Sequence, residues 1–126
     1  MIKILVVEDH PVMRPTLRDL FQLEGYDVIT AIHGLDALEK LSGAHVDLVI
    51  TDFMMPKMDG LVLLKSLRSD PRYADLPILM FTANANPELQ SKAIAAGVSG
   101  FLIRPITVQE LLETVEQLLP VLQEHA

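Results

Sequence analysis

The chain has 126 residues, half of them hydrophobic and none of them cysteine, so it can bury one core but cannot form disulfides or thiolate metal sites. Its 17 acidic residues outnumber its 10 basic ones and give a net charge of −7, which disfavours binding to nucleic-acid phosphates. The apolar stretches are too short to span a bilayer, and acidic residues follow the N-terminus too soon for a signal peptide. We therefore expect one cytoplasmic domain over residues 1–126.

Five short runs rich in Val, Ile and Leu predict β-strands. They do not alternate apolar with polar residues, which is typical of strands buried on both faces of a parallel sheet. The runs lie at residues 2–7, 28–32, 46–51, 78–81 and 101–103.

Segments with the apolar spacing of amphipathic helices separate and follow these strands. Thr107 and Glu110 form a capping-box pattern at the start of the last one, and Pro120 should end or kink it. Three of the other segments end near a glycine in a position suited to a helix C-cap: Gly25, Gly43 and Gly97. Asp59-Gly60 predicts a turn that starts the third helix.

Five strands and five helices in strict βα order predict an α/β fold. Such a chain forms a doubly wound, five-stranded parallel sheet with helices on both faces and right-handed crossovers. Ligand sites in these folds lie at the carboxyl ends of the strands. The residues that follow each strand are therefore the candidates for function.

Charged and polar side chains follow four of the five predicted strands. Glu8 and Asp9 follow the first, Asp52 the third, Thr82 the fourth and Arg104 the fifth. Three converging carboxylates repel one another and call for a cation, and oxygen ligands favour Mg²⁺. A cation, a guanidinium and a hydroxyl around one carboxylate suit an incoming phosphoryl group, for which the carboxylate is a plausible nucleophile.

The sequence resembles the response-regulator receiver domains of two-component signalling, in particular the single-domain, chemotaxis-regulator-like ones. The strongest motif is Asp-Phe-Met-Met-Pro-Lys-Met-Asp-Gly at residues 52–60, joined by the acidic pair, by Phe81-Thr82-Ala83 and by Gly-Phe-Leu-Ile-Arg-Pro at 100–105. The resemblance covers essentially the whole chain. It implies a flavodoxin-like fold with strand order 2-1-3-4-5 and a cis peptide bond between Arg104 and Pro105.

The resemblance implies that Asp52 is the phosphoacceptor, supplied by the phosphohistidine of a sensor histidine kinase or phosphotransfer protein. Asp9, Asp52 and the backbone carbonyl of Met54 would bind Mg²⁺, and Glu8 would act through a metal-bound water.

The resemblance also implies a switch. Thr82 would hydrogen-bond the phosphoryl group, Phe101 would turn inward as the switch aromatic, and the helix 4–strand 5–helix 5 face would then change its protein partners. We expect a monomer or weak dimer that is not an enzyme and carries no output domain, nucleic-acid site or membrane site.

Arg104 departs from the family, which has Lys at this position. Arg keeps the charge but is longer and planar, so a phosphorylation-independent or pre-biased adaptor is the alternative function. An aspartate-nucleophile phosphohydrolase is a weaker alternative, because it needs a second Asp where this chain has Met54.

Purely structural roles are also open. Glu8 and Asp9 could cap the first helix, Thr82 could be an ordinary strand or cap residue, and Phe101 could belong to the core. His10 is placed at the rim of the site by its position after the acidic pair, and Pro11 suits the first position of the first helix.

Overall fold

A computed structural model describes residues 1–55 and 57–119, and within them strands and helices alternate along the chain. The elements are β1 (Lys3–Val7), α1 (Met13–Leu23), β2 (Asp27–Ala31), α2 (Gly34–Gly43), β3 (Leu48–Thr51), α3 (Gly60–Ser69), β4 (Ile78–Thr82), α4 (Pro87–Ala95), β5 (Gly100–Ile103) and α5 (Val108–Leu118). The predicted break at Pro120 lies outside the described residues. None of the helices in the described ranges is long and apolar enough to cross a membrane.

The five strands form one parallel sheet in the order β2-β1-β3-β4-β5. The predicted fold class and strand order are therefore confirmed. The chain adds β2 on one side of β1 and then crosses over to add β3 on the other side. Val7 and Thr51 lie opposite each other at the ends of β1 and β3. The residues that follow β1 and β3 consequently meet at the topological switch point, where ligands bind in open α/β sheets.

Two apolar layers cover the sheet. Alternate residues of β1 point into opposite layers, with Leu5 and Val7 on one side and Ile4 and Val6 on the other. Helices α2, α3 and α4 pack on the first side, and α1 and α5 pack on the second. Strands β3 and β4 are buried throughout, whereas every residue of the edge strand β5 is only half-buried. The predicted burial on both faces thus holds for the centre of the sheet and not for its edges.

Most of the predicted helix boundaries match local hydrogen bonding. Asp59 begins α3 by accepting the Val62 N–H at 2.9 Å, and Thr107 begins α5 by accepting the Glu110 N–H at 3.0 Å. Gly25 and Gly97 follow α1 and α4 with φ of +93°, a conformation that glycine adopts without a steric penalty. Gly43 differs from the prediction, because it is the last residue of α2 and the extended Ala44 follows it.

Arg68 joins three segments at the amino-terminal edge of the sheet. Its guanidinium donates to the carbonyl oxygens of Tyr73 at 3.1 Å, Leu76 at 2.8 Å and Gly97 at 2.9 Å, and to Ser99 Oγ at 3.2 Å. Partial burial lowers the pKa of Arg68, but a guanidinium stays charged at any physiological pH. The side chain therefore fixes the loops before β4 and β5 through charge-assisted hydrogen bonds.

Replacing Arg68 with Met keeps most of the side-chain bulk and removes these hydrogen bonds. We expect a loss of about 2 kcal/mol in the free energy of unfolding, because half-buried carbonyl groups lose a charged donor. Urea denaturation measures the change. The same substitution at Arg18, whose ion pair with Asp19 is exposed, is the control and should leave the midpoint unchanged. Equal urea midpoints for the two variants would show that the Arg68 hydrogen bonds do not stabilise the fold.

Candidate functional site

Three carboxylates meet where β1 and β3 end. Oxygen atoms of Glu8, Asp9 and Asp52 all lie within 4.8 Å of one another. Glu8 is buried, Asp52 is half-buried and Asp9 is exposed, so the group opens to solvent on one side. Several hard oxygen ligands, with room left for water, fit the coordination that Mg²⁺ prefers. These residues can hold a divalent cation.

Hydrogen bonds hold the Asp52 side chain in place through both of its oxygens. Oδ1 accepts the backbone N–H of Phe53 at 2.6 Å and, more weakly, that of Met54 at 3.4 Å. Oδ2 accepts from Arg104 Nη2 at 3.0 Å. The Asp52 carboxylate is thus oriented by the β3–α3 loop on one side and by the Arg104 guanidinium on the other.

Arg104 bridges two of the three carboxylates with a single nitrogen. Nη2 lies 3.0 Å from Asp52 Oδ2, 3.3 Å from Glu8 Oε1 and 3.2 Å from the Phe81 carbonyl oxygen. The guanidinium also covers the Phe81 ring, with Cζ 4.8 Å from the ring centroid. Nε is buried and has no hydrogen-bond partner among the described residues. The Arg104–Pro105 peptide bond is cis, as predicted.

Burial controls the ionisation of Glu8. Loss of solvent raises the pKa of its carboxyl group above the usual value of 4.5, and the nearby negative charge of Asp52 adds to the increase. The His10 N–H, which donates to Glu8 Oε2 at 3.3 Å, and the charge of Arg104 act in the opposite direction. Burial outweighs these contacts, so the pKa of Glu8 stays raised.

Thr82 and Phe101 lie on the neighbouring strands β4 and β5. Thr82 is the buried last residue of β4, and its Oγ1 accepts the Asn84 N–H at 3.2 Å, which leaves the hydroxyl hydrogen free to donate elsewhere. It does not cap α4, whose N-cap is Asn86. Phe101 is half-buried against the core layer on the α2–α3–α4 side.

The start of α1 differs from its prediction. The helix begins at Met13, so Pro11 lies in the preceding turn rather than at the first helical position. His10 Nδ1 accepts the N–H groups of Val12 and Met13, each at 3.2 Å. Glu8 and Asp9 consequently do not cap this helix.

Arg14 is a site residue that sequence reasoning missed. Its Nη1 donates to the carbonyl oxygens of Glu8 at 3.1 Å and Asp9 at 3.3 Å, so it holds the backbone that carries both acidic side chains. Its position in the sequence could have identified it, because a basic residue in the first turn of α1 can reach back to the end of β1.

Gly60 packs closely against the backbone of Asp52 and Phe53. Its N–H donates to the Phe53 carbonyl at 2.8 Å, and a Cβ atom at this position would collide with the Asp52 carbonyl oxygen. The start of α3 can approach the β3–α3 loop this closely only where no side chain intervenes. Met54, which lies in the same loop, has an exposed side chain.

Asp52 faces two cavities. One, of about 340 Å³, is also lined by the acidic pair, His10 and Arg104. The other, of about 440 Å³, is lined by Met54, Thr82 and residues 83–85. A third cavity of about 360 Å³ lies at the opposite edge of the sheet, between His45, Tyr73 and Leu119. The first two give access to the carboxylate cluster.

The chain matches the family model for the response regulator receiver domain over residues 4–116. It belongs to that family. It is 40% identical to chemotaxis protein CheY1 of Helicobacter pylori over 119 residues, which is 93% of this chain and 96% of that protein.

Solved structures of receiver proteins have the same fold. The chemotaxis protein CheY4 of Vibrio cholerae is 36% identical and superposes with a TM-score of 0.89, covering 94% of this chain and 99% of that one. The response regulator TrrA of Thermotoga maritima, solved in complex with Mg²⁺-BeF, is 34% identical with a TM-score of 0.85 and covers 94% and 100% of the two chains.

The raised pKa of Glu8 predicts how stability depends on pH. Below pH 4.5 Glu8 is protonated in both states, and as the pH rises the unfolded state ionises first. The free energy of unfolding of the wild type, relative to Glu8→Gln, should therefore fall between pH 4.5 and the higher folded-state pKa. Denaturant titrations from pH 4 to 8 without divalent cations measure this difference. A difference that does not change with pH would contradict the role of burial.

Gly60→Ala should destabilise the protein, because the added methyl group must displace the Asp52 backbone. Gly43→Ala is the matched control, since a Cβ there meets no atom within 4 Å and Ala favours a helix over Gly. We expect a lower melting temperature for Gly60→Ala and an unchanged or higher one for Gly43→Ala. Similar melting temperatures for the two variants would show that the close approach of Gly60 is unimportant.

Proposed function

We propose that the chain is a phosphorylation-dependent receiver in which Asp52 accepts a phosphoryl group from the phosphohistidine of a sensor histidine kinase or phosphotransfer protein. The observation that carries this proposal is the environment of Asp52. Its carboxylate is half-buried, is oriented by backbone N–H groups and by Arg104, and lies beside two further carboxylates. An oriented nucleophile beside cationic groups is what phosphoryl transfer requires.

In the proposed reaction an oxygen of Asp52 attacks the phosphorus atom. The bond between phosphorus and the donor imidazole nitrogen breaks, its electron pair stays on that nitrogen, and an acyl phosphate forms on Asp52. Arg104 balances part of the negative charge of the transferred group, and its Nε–H, which has no partner among the described residues, is a further donor. Mg²⁺, held by Asp9, Asp52 and the Met54 carbonyl with Glu8 acting through a bound water, would neutralise phosphoryl oxygens when bound.

Thr82 and Phe101 are the proposed link between the site and a partner. The Thr82 hydroxyl, which keeps a free hydrogen, would donate to the phosphoryl group and shift toward it. Phe101 lies on the adjacent strand and is only half-buried, so packing further inward would bury more of its surface. The α4–β5–α5 surface would then bind a downstream protein in a phosphorylation-dependent way.

A second function, a phosphorylation-independent adaptor, is favoured by one specific observation. Arg104 already pairs with both Glu8 and Asp52. Its positive charge therefore neutralises part of the negative charge of the carboxylate cluster before any phosphoryl group binds. In this alternative, partner binding does not depend on a phosphoryl group on Asp52. Neutralising Asp52 would then leave partner binding unchanged.

Incubation with a small-molecule phosphodonor and Mg²⁺, followed by intact-mass measurement, tests the main proposal. We expect the wild type to gain one phosphoryl group, and Asp52→Asn to gain none because an amide oxygen is a poor nucleophile. Asp59→Asn is the matched control, since Asn also caps helices well and Asp59 serves as the N-cap of α3. Continuous hydrolysis of a phosphomonoester by the wild type would instead indicate a phosphohydrolase.

The result with Arg104→Lys separates the two functions. If Arg104 supports transfer, the wild type and Arg104→Lys should both be phosphorylated. A folded wild type that binds Mg²⁺ but gains no mass, beside an Arg104→Lys variant that does, would favour the adaptor.

A further inference from the structure

His10 is fixed in one tautomer by the backbone that follows it. Its Nδ1 accepts the N–H groups of Val12 and Met13, each at 3.2 Å. A neutral imidazole has one protonated nitrogen and one acceptor nitrogen. Because Nδ1 is the acceptor here, the hydrogen is on Nε2, and His10 presents a hydrogen-bond donor away from the α1 backbone.

His10 lies on the exposed side of the cavity that leads to Asp52. His10, Asp52 and Arg104 line the same cavity of about 340 Å³. The side chains of Asp52 and Arg104 are 14% and 17% exposed, whereas His10 is an exposed residue. Arg104 therefore lies beside the nucleophile in the depth of the site, and His10 lies nearer to solvent.

The direction of phosphoryl transfer decides which part of the phosphodonor lies near His10. The attacking and leaving atoms lie roughly in line on opposite sides of phosphorus. A phosphodonor that enters through the cavity lined by His10 is attacked by Asp52 from the depth of that cavity, so its leaving group points toward the mouth. A donor at the mouth is thus placed to contact the leaving group rather than the transferred phosphoryl group.

We propose that His10 binds the leaving group of small acyl phosphates and thereby speeds phosphoryl transfer from them to Asp52; this rests on the proposed role of Asp52. As the bond from phosphorus to the acyl oxygen breaks, its electron pair stays on the departing carboxylate. The Nε2–H of His10 donates a hydrogen bond to that oxygen and keeps its proton. The new bond joins phosphorus to an oxygen of Asp52.

The proposed contact discriminates between classes of donor. Negative charge develops on the leaving oxygen of an acyl phosphate, and a positioned N–H group stabilises that charge more in the transition state than in the ground state. Phosphoramidate loses a neutral amine that carries its own N–H groups, so the same donor gives it little help. His10 should therefore favour acyl phosphates over phosphoramidates.

The experiment compares initial rates of phosphorylation with acetyl phosphate and with phosphoramidate, both in Mg²⁺. His10→Asn keeps an acceptor, Oδ1, for the Val12 and Met13 N–H groups but has no donor at the Nε2 position. We expect the acetyl phosphate rate to fall about tenfold, the usual effect of losing a hydrogen bond to a charged group, and the phosphoramidate rate to change less than about twofold. His10→Gln, whose amide nitrogen can replace Nε2 as a donor, should recover much of the loss.

His33→Asn is the matched control. The ring of His33 also accepts a backbone N–H through Nδ1, from Asp36 at 3.1 Å, at the start of a helix, and His33 does not line either cavity that Asp52 faces. Its rates should equal those of the wild type with both donors.

Three outcomes overturn the inference. An unchanged acetyl phosphate rate in His10→Asn would show that His10 does not contact the donor. An equal loss with both donors would show that it acts on Asp52 or on the metal ligands. A wild type that neither donor phosphorylates would reject the proposed function of Asp52 and the role of His10 together.

Discussion

The site depends on a concentration of negative charge that the fold imposes. Parallel pairing of β1 with β3 places the acidic pair beside Asp52, with oxygens of all three carboxylates within 4.8 Å of one another. Two like charges about 4 Å apart repel by about 4 kcal/mol at an intermediate dielectric. Arg104 relieves part of this repulsion by pairing with two of the three. The remaining charge makes the cluster receptive to a cation.

Burial divides the site into two parts with different chemistry. Glu8, Thr82 and the Phe81 ring are buried, so the interactions around them are strong and their geometry is fixed. Asp9 and His10 are exposed and can exchange ligands with solvent. This gradient places Asp52 between a rigid interior and an accessible cavity. The proposed division of roles, with Arg104 on the transferred group and His10 on the donor, follows from it.

Much of the fold was predictable because its signals are local. Apolar runs, helical spacing and the Asp59 and Thr107 caps each depend on neighbouring residues, and all of them match observed elements. Two expectations differ from the structure. Pro11 lies in the turn before α1 rather than at its first position, and strand β5 is incompletely buried because it lies at an edge.

The sequence by itself determined the βα order, the residues at the strand ends and the family to which they point, since these depend on composition and spacing. Only the tertiary structure decided how those residues interact. The bridge from Arg104 to both Glu8 and Asp52, the support of the acidic loop by Arg14 and the tautomer of His10 depend on distances between side chains and backbone atoms. Such distances are set by strand register and helix packing, which no linear pattern specifies.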